Sequence, residues 1–106
     1  MTSRKPASSK RAPPPRACDY TKTFRKDWVR LSRLGRYDLK RVKEAVLLLI
    51  GNDAPLDPEW LDRPLKCDWA DHRECHIGGD FLLIYSLDGK AMIFVRAGTH
   101  SELFEE

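Results

Sequence analysis

Apolar and polar positions along this chain follow two rhythms, first helical and then alternating. Ala17-Cys18-Asp19-Tyr20 reads as a short strand with Cys18 and Tyr20 on one face, and Thr21 follows as a helix N-cap. Phe24, Trp28, Leu31 and Leu34 then recur at helical spacing, with Lys22, Arg25, Lys26, Arg30 and Arg33 over the rest of the circumference. Gly35 ends that helix. Asp38 caps a second one, whose apolar stripe is Leu39, Val42, Val46, Leu49 and Ile50, with Gly51 at its C-terminus. The short link between them predicts an antiparallel helical hairpin.

Residues 52–65 carry three prolines and read as an irregular connector anchored by Leu56, Trp60 and Leu65. Strand patterning follows. Asp71–Ile77 puts His72, Glu74 and His76 on one face and Arg73, Cys75 and Ile77 on the other. Gly78-Gly79-Asp80 reads as a hairpin turn, Phe81–Leu87 as an apolar central strand and Asp88-Gly89 as a second turn. Ala91–Ala97 is the last strand; Gly98 breaks it and Thr99 caps a final helical turn through Phe104. The predicted order is β-α-α-β-β-β, a helical hairpin on a small antiparallel sheet, which is an α+β fold.

Composition narrows the class. The 106 residues suit one domain, and 42% apolar with 33% charged residues permit a small core. Residues 1–15 hold basic residues and prolines without an acid, and are expected to be a disordered tail before a domain at 16–106. No apolar run approaches the roughly 18 residues of a membrane span, and the N-terminus lacks a secretory apolar stretch. Three cysteines do not make a disulfide framework, so a cytoplasmic protein is expected. Residues 1–43 hold 14 Lys or Arg against 3 Asp, a net of +11, while the remainder carries −8. That asymmetry points to an anionic partner met by the first half, or to a solvated basic helix face beside an acidic sheet.

Candidate chemistry gathers in the second half. The two hairpins bring His76 and Asp80 together and place Arg96 and His100 close by. Two imidazoles can exchange protons near neutral pH, and a guanidinium suits phosphate. Phe81 and Phe104 can offer surfaces on which bases stack. Metal-free RNA cleavage needs such a set: a base for the 2′-hydroxyl, a cation for the phosphate and an acid for the departing 5′-oxygen. Blander roles stand beside these. Asp80 also suits a turn, Arg96 also suits a cross-strand pair with Glu74, and the histidines also suit bonds to backbone. His72-x-x-Cys75-His76 is no zinc motif, because Cys75 and His76 are adjacent on a strand and point to opposite faces.

The runs R-E-C-H-I (73–77), D-F-L-L-I-Y (80–85) and R-A-G-T-H-S-E-L-F (96–104) resemble the signature of the YafQ branch of the RelE/ParE superfamily of bacterial toxins. The helical hairpin and the Pro-rich connector fit the same branch. The resemblance implies the toxin of a type II toxin–antitoxin pair, a ribosome-dependent endoribonuclease that cuts mRNA and is held by a cognate antitoxin. It implies catalytic roles for His76, Asp80 and His100, phosphate binding by Arg96, and substrate contact by Glu74, Phe81 and Phe104, with no cofactor or metal. The basic residues Lys22, Arg25, Lys26, Arg30 and Arg33 would then meet ribosomal RNA. One position departs from the branch. The connector elsewhere reads Asp-His-Pro-Leu, with a histidine that aids catalysis; here it is Asp62-Arg63-Pro64-Leu65. Arginine cannot act as a general base, so Arg63 is left with substrate binding. A ParE-like gyrase inhibitor and a decayed toxin that only binds its antitoxin are the alternatives.

Overall fold

A computed structural model describes residues 17–35, 37–51, 56–88 and 91–104. The expected tail at 1–15 and the turn residue Gly89 lie outside them. Strand β1 (Ala17–Tyr20) leads into helices α1 (Lys22–Leu34) and α2 (Leu39–Gly51). Strands β2 (Arg63–Pro64), β3 (His72–Gly78), β4 (Phe81–Asp88) and β5 (Ala91–Thr99) follow, then the short helix α3 (His100–Phe104). The α+β expectation holds.

Local chemistry explains the element ends. Thr21 Oγ1 accepts from the Phe24 amide at 2.9 Å, and Asp38 Oδ1 from the Arg41 amide at 3.1 Å. Gly35, at φ +71°, closes α1 with its amide bonded to the Leu31 carbonyl. Helix α2 runs through Gly51 instead of stopping before it. Thr99 and Glu102 form a reciprocal capping box at α3: the Thr99 amide donates to Glu102 Oε1 at 2.8 Å, and the Glu102 amide to Thr99 Oγ1 at 3.2 Å.

The strand order is β1-β5-β4-β3-β2. β2, β3, β4 and β5 pair antiparallel, but β1 runs parallel to β5, so the sheet is mixed and not wholly antiparallel as expected. The connection explains it: β1 reaches β5 through the helices and the three following strands, and no hairpin dictates its direction. β2 was also unforeseen, since two residues with a proline show no alternation.

Alternation divides the sheet into two faces. Cys75, Ile77, Phe81, Leu83, Tyr85, Met92, Phe94 and Ala97 join Leu31, Val42, Ala45, Leu49 and Trp60 in the main core beneath the helices. On the other face Leu82, Ile84 and Leu103 form a smaller cluster, flanked by Leu65, Trp69, Val95 and Phe104. Gly98 lets α3 fold back onto that face: a Cβ there would lie 3.0 Å from Glu102 Oε1 and 3.2 Å from Leu103 Cδ2. No helix among the described residues is long and apolar enough to cross a membrane.

Candidate active site

The open face carries the polar groups. Arg63 pairs with Glu74, Glu74 with Ile84, and Ile84 with Arg96, so these four form one row across the sheet. The next row toward α3 is His76, Leu82 and Gly98. His76 therefore stands two strand spacings, about 10 Å, from the backbone that runs into His100. Gly79, at φ +54°, turns the β3–β4 hairpin, and the Asp80 carbonyl accepts from the His100 amide at 2.9 Å. His76, Arg96 and His100 thus lie toward one end of the open face, with the Asp80 backbone tied to His100.

Glu74 is only 1% exposed, so charge on it needs partners. Its Oε2 accepts from Arg63 Nε at 2.7 Å and lies 3.4 Å from His76 Nε2. This burial corrects the expectation that Glu74 touches substrate: its carboxylate acts on its two neighbours. Arg63, with a side chain 64% exposed, occupies the outer side of the pair. Among the described residues no group of three His, Cys, Asp or Glu is placed to hold a metal ion. Beside Glu74 and His76 the third group is a guanidinium, which cannot ligate one.

Arg96 pairs with Asp27 of α1 and not with Glu74, through Nε to Oδ2 at 2.8 Å and Nη2 to Oδ1 at 3.1 Å. Hydrogen bonding to Asp27 raises the pKa of the guanidinium, which stays cationic. His100 packs against Phe104 with ring centroids 4.8 Å apart and planes tilted by 55°; the Phe104 ring meets Trp69 edge-on at 5.9 Å, and Trp69 in turn meets His72 at 5.3 Å. Phe104 is thus partly buried within an aromatic chain bordering the site.

Phe81 is a correction. It points to the helix side, is 4% exposed and packs on Tyr37 with ring centroids 4.9 Å apart. Alternation with Leu83 and Tyr85 puts it there, so it offers no face for a base to stack on. Lys22, Arg25, Lys26, Arg30 and Arg33 do converge, lining with Val29 an open groove of about 550 Å³ on α1. Arg30 is committed elsewhere as well, bonding Asp27 at 3.2 Å and Glu102 at 2.7 Å. Asp27, 3% exposed, is the site residue that sequence reasoning missed. Its only signal was an acid within the basic helix.

A second polar group braces the connector: Asp62 Oδ1 accepts from the Tyr85 hydroxyl at 2.6 Å and from Arg73 Nε at 3.2 Å. A separate groove of about 710 Å³, lined by Pro64, Asp71, His72, Arg73, Ser86, Leu87 and Ile93, contains none of the proposed catalytic groups.

Residues 16–105 match the family described as the bacterial toxin of type II toxin–antitoxin systems, YafQ. The mRNA interferase toxin YafQ of Escherichia coli strain B is 38% identical over 89 residues, covering 84% of this chain and 96% of that protein. A crystal structure of the E. coli DinJ–YafQ complex superposes with a TM-score of 0.75 at 38% identity, covering 84% of this chain and 98% of the other. A copper-bound mutant toxin from Helicobacter pylori gives a TM-score of 0.76 at 38% identity, covering 84% and 99%.

Proposed function

The chain belongs to the YafQ family of type II toxin–antitoxin toxins, and from that premise we propose how it acts. It is an mRNA interferase, an endoribonuclease whose partners are a cognate antitoxin, the ribosome and mRNA, working in the cytoplasm. The tail at 1–15 is dispensable to the domain at 16–106.

The observation that carries the mechanism is the Glu74–His76 contact, on the same face and at the same end as Arg96 and His100. A carboxylate against one ring nitrogen orients an imidazole and holds the N–H on that side, leaving the other nitrogen's lone pair to face the substrate. His76 is therefore the general base. It takes the ribose 2′-proton, and the oxygen attacks the adjacent phosphorus in line. Arg96 offsets charge on the phosphate oxygens, with Arg63 as a second, exposed cation in place of the family histidine. His100 then protonates the departing 5′-oxygen. The products are a 2′,3′-cyclic phosphate and a 5′-hydroxyl, and no metal takes part. Asp80, at the hairpin tip, lies beside the His100 end of the substrate. Phe104 backs the His100 ring and offers its outer edge to a base.

The groove on α1 binds ribosomal RNA phosphates, an attraction that weakens with salt. The antitoxin's acidic C-terminal segment competes for the same helix and crosses the open face.

The test uses ribosome-bound mRNA with sulfur in place of the 5′-bridging oxygen. A thiolate leaves without an acid, so His100→Ala regains most of its lost rate on this substrate while His76→Ala does not. No rescue of His100→Ala removes its assignment as the acid. Loss of cleavage by toxin stripped of metal with a chelator before its addition to Mg²⁺-stabilised ribosomes, with return of cleavage on adding a transition metal, removes the metal-free step. Equal toxicity of wild type and both variants, with gyrase inhibited, replaces the nuclease reading by the gyrase one.

A further inference from the structure

Asp27 sits mid-helix on α1, where its neighbour one turn on, Leu31, is fully buried in the core. Four donors converge on its carboxylate. Oδ2 accepts from Arg96 Nε at 2.8 Å and the Ala97 amide at 3.1 Å; Oδ1 accepts from Arg96 Nη2 at 3.1 Å and Arg30 Nη2 at 3.2 Å. Taking a carboxylate out of water is costly, and removing one partner of a buried ion pair leaves the other uncompensated. Three of these four contacts bear on one residue's placement: two fix the Arg96 guanidinium, and a third fixes the backbone immediately after it.

A guanidinium can offer a planar carboxylate or phosphate its side edge, Nε with Nη2, or its end edge, Nη1 with Nη2. Asp27 takes the side edge. Two parallel bonds set the plane of the group and remove its rotamer freedom before any substrate arrives. The end edge is what Arg96 then has for a phosphate. Arg30 extends the arrangement, since it also reaches Glu102 of the capping box that starts α3 at His100. From this geometry we infer that Asp27 is a positioning residue for RNA cleavage, holding Arg96 so that its end edge meets the scissile phosphate. The inference rests on the reading of Arg96 as the phosphate cation.

Single-turnover cleavage of ribosome-bound mRNA is compared for the wild type, D27N, R96A and the double variant, with thermal melts of each. D27N and R96A are each expected to cut about 100-fold more slowly, while the ribosome concentration giving half-maximal rate moves less than about twofold. The double variant is expected to be no slower than R96A alone, because Asp27 acts through Arg96. A folded D27N cutting at the wild-type rate overturns the inference. So does D27N slowing R96A further by the full factor, which marks a merely structural carboxylate. R96A cutting at the wild-type rate removes the phosphate role itself and this inference with it, a result told apart by the R96A arm alone. Where D27N melts below the assay temperature, the wild type supplies the readout. Its Arg96 Nε–H resonance is expected to remain slow-exchanging when a 2′-O-methyl trinucleotide binds, and release of that proton on binding overturns the inference.

Discussion

On the helix side of the sheet, Cys75, Leu83, Tyr85, Met92 and Ala97 are sealed beneath α1 and α2. On the open side the same strands carry Glu74, His76 and Arg96 around Leu82 and Ile84, covered among the described residues by the five-residue α3 and by Leu65 and Trp69 ahead of β3. Two long helices can enclose an apolar surface; one and a half helical turns cannot. The open side therefore leaves room for a polar row that reaches solvent, held by ion pairs instead of packing. Stability and chemistry are divided between the faces, and alternation along β3 and β5 is what divides them.

That division can be broken most severely at His76. His76→Ala is expected to slow cleavage about 10²–10⁴-fold with the melting temperature nearly unchanged, read by primer extension on ribosome-bound mRNA beside a thermal melt. A matching loss of stability would merge the two faces. Leu83→Ala is the converse experiment. It empties a fully buried site on the helix side and is expected to cost about 2–5 kcal/mol in urea unfolding, with cleavage per folded molecule intact. Gly98→Ala sharpens the boundary, because the added methyl meets Glu102 and Leu103. It is expected to cost about 1–3 kcal/mol and to slow cleavage by displacing α3.

The smallest effects come from pH, and they carry opposite signs on the two faces. Burial pushes the Cys75 thiol from its ordinary 9.0 up to about 12. The unfolded chain releases this proton first, so stability falls as pH rises from about 9 toward 12. Tyr85, raised from 10.0 by burial and its bond to Asp62, steepens that fall. At Glu102, partial burial opposes the charge, but the Thr99 amide and Arg30 outweigh it and hold the carboxyl below its usual 4.5. Its contribution is present above that value and is lost as pH falls through the folded pKa. Urea midpoints followed along both limbs check this, with Cys75→Ala expected to soften only the alkaline limb and Glu102→Gln only the acid one.

Much of this was legible because it is local. The caps at Thr21, Asp38 and Thr99 depend on residues three positions away, and the hairpin at Gly79 on a single dihedral. The faces of β3 follow from alternation alone. What escaped was non-local or short. Nothing near Asp27 in the chain announces Arg96, 69 positions on. The direction of β1 is decided by β5, and β2 is two residues long. Phe81 was within reach, since its alternation with Leu83 and Tyr85 sets it on the helix side.

β1 pairs with β5 only as far as Phe94. Beyond that point α1 finishes the edge: Thr21 donates to the Phe94 and Val95 carbonyls, and Asp27 accepts from the Ala97 amide. The Ala97 proton is thus guarded by a side chain from a helix and not by a neighbouring strand. Its deuterium uptake becomes a single-residue clock for undocking of α1, readable in the intact protein, and separable from the slower opening of β4 at the centre of the sheet.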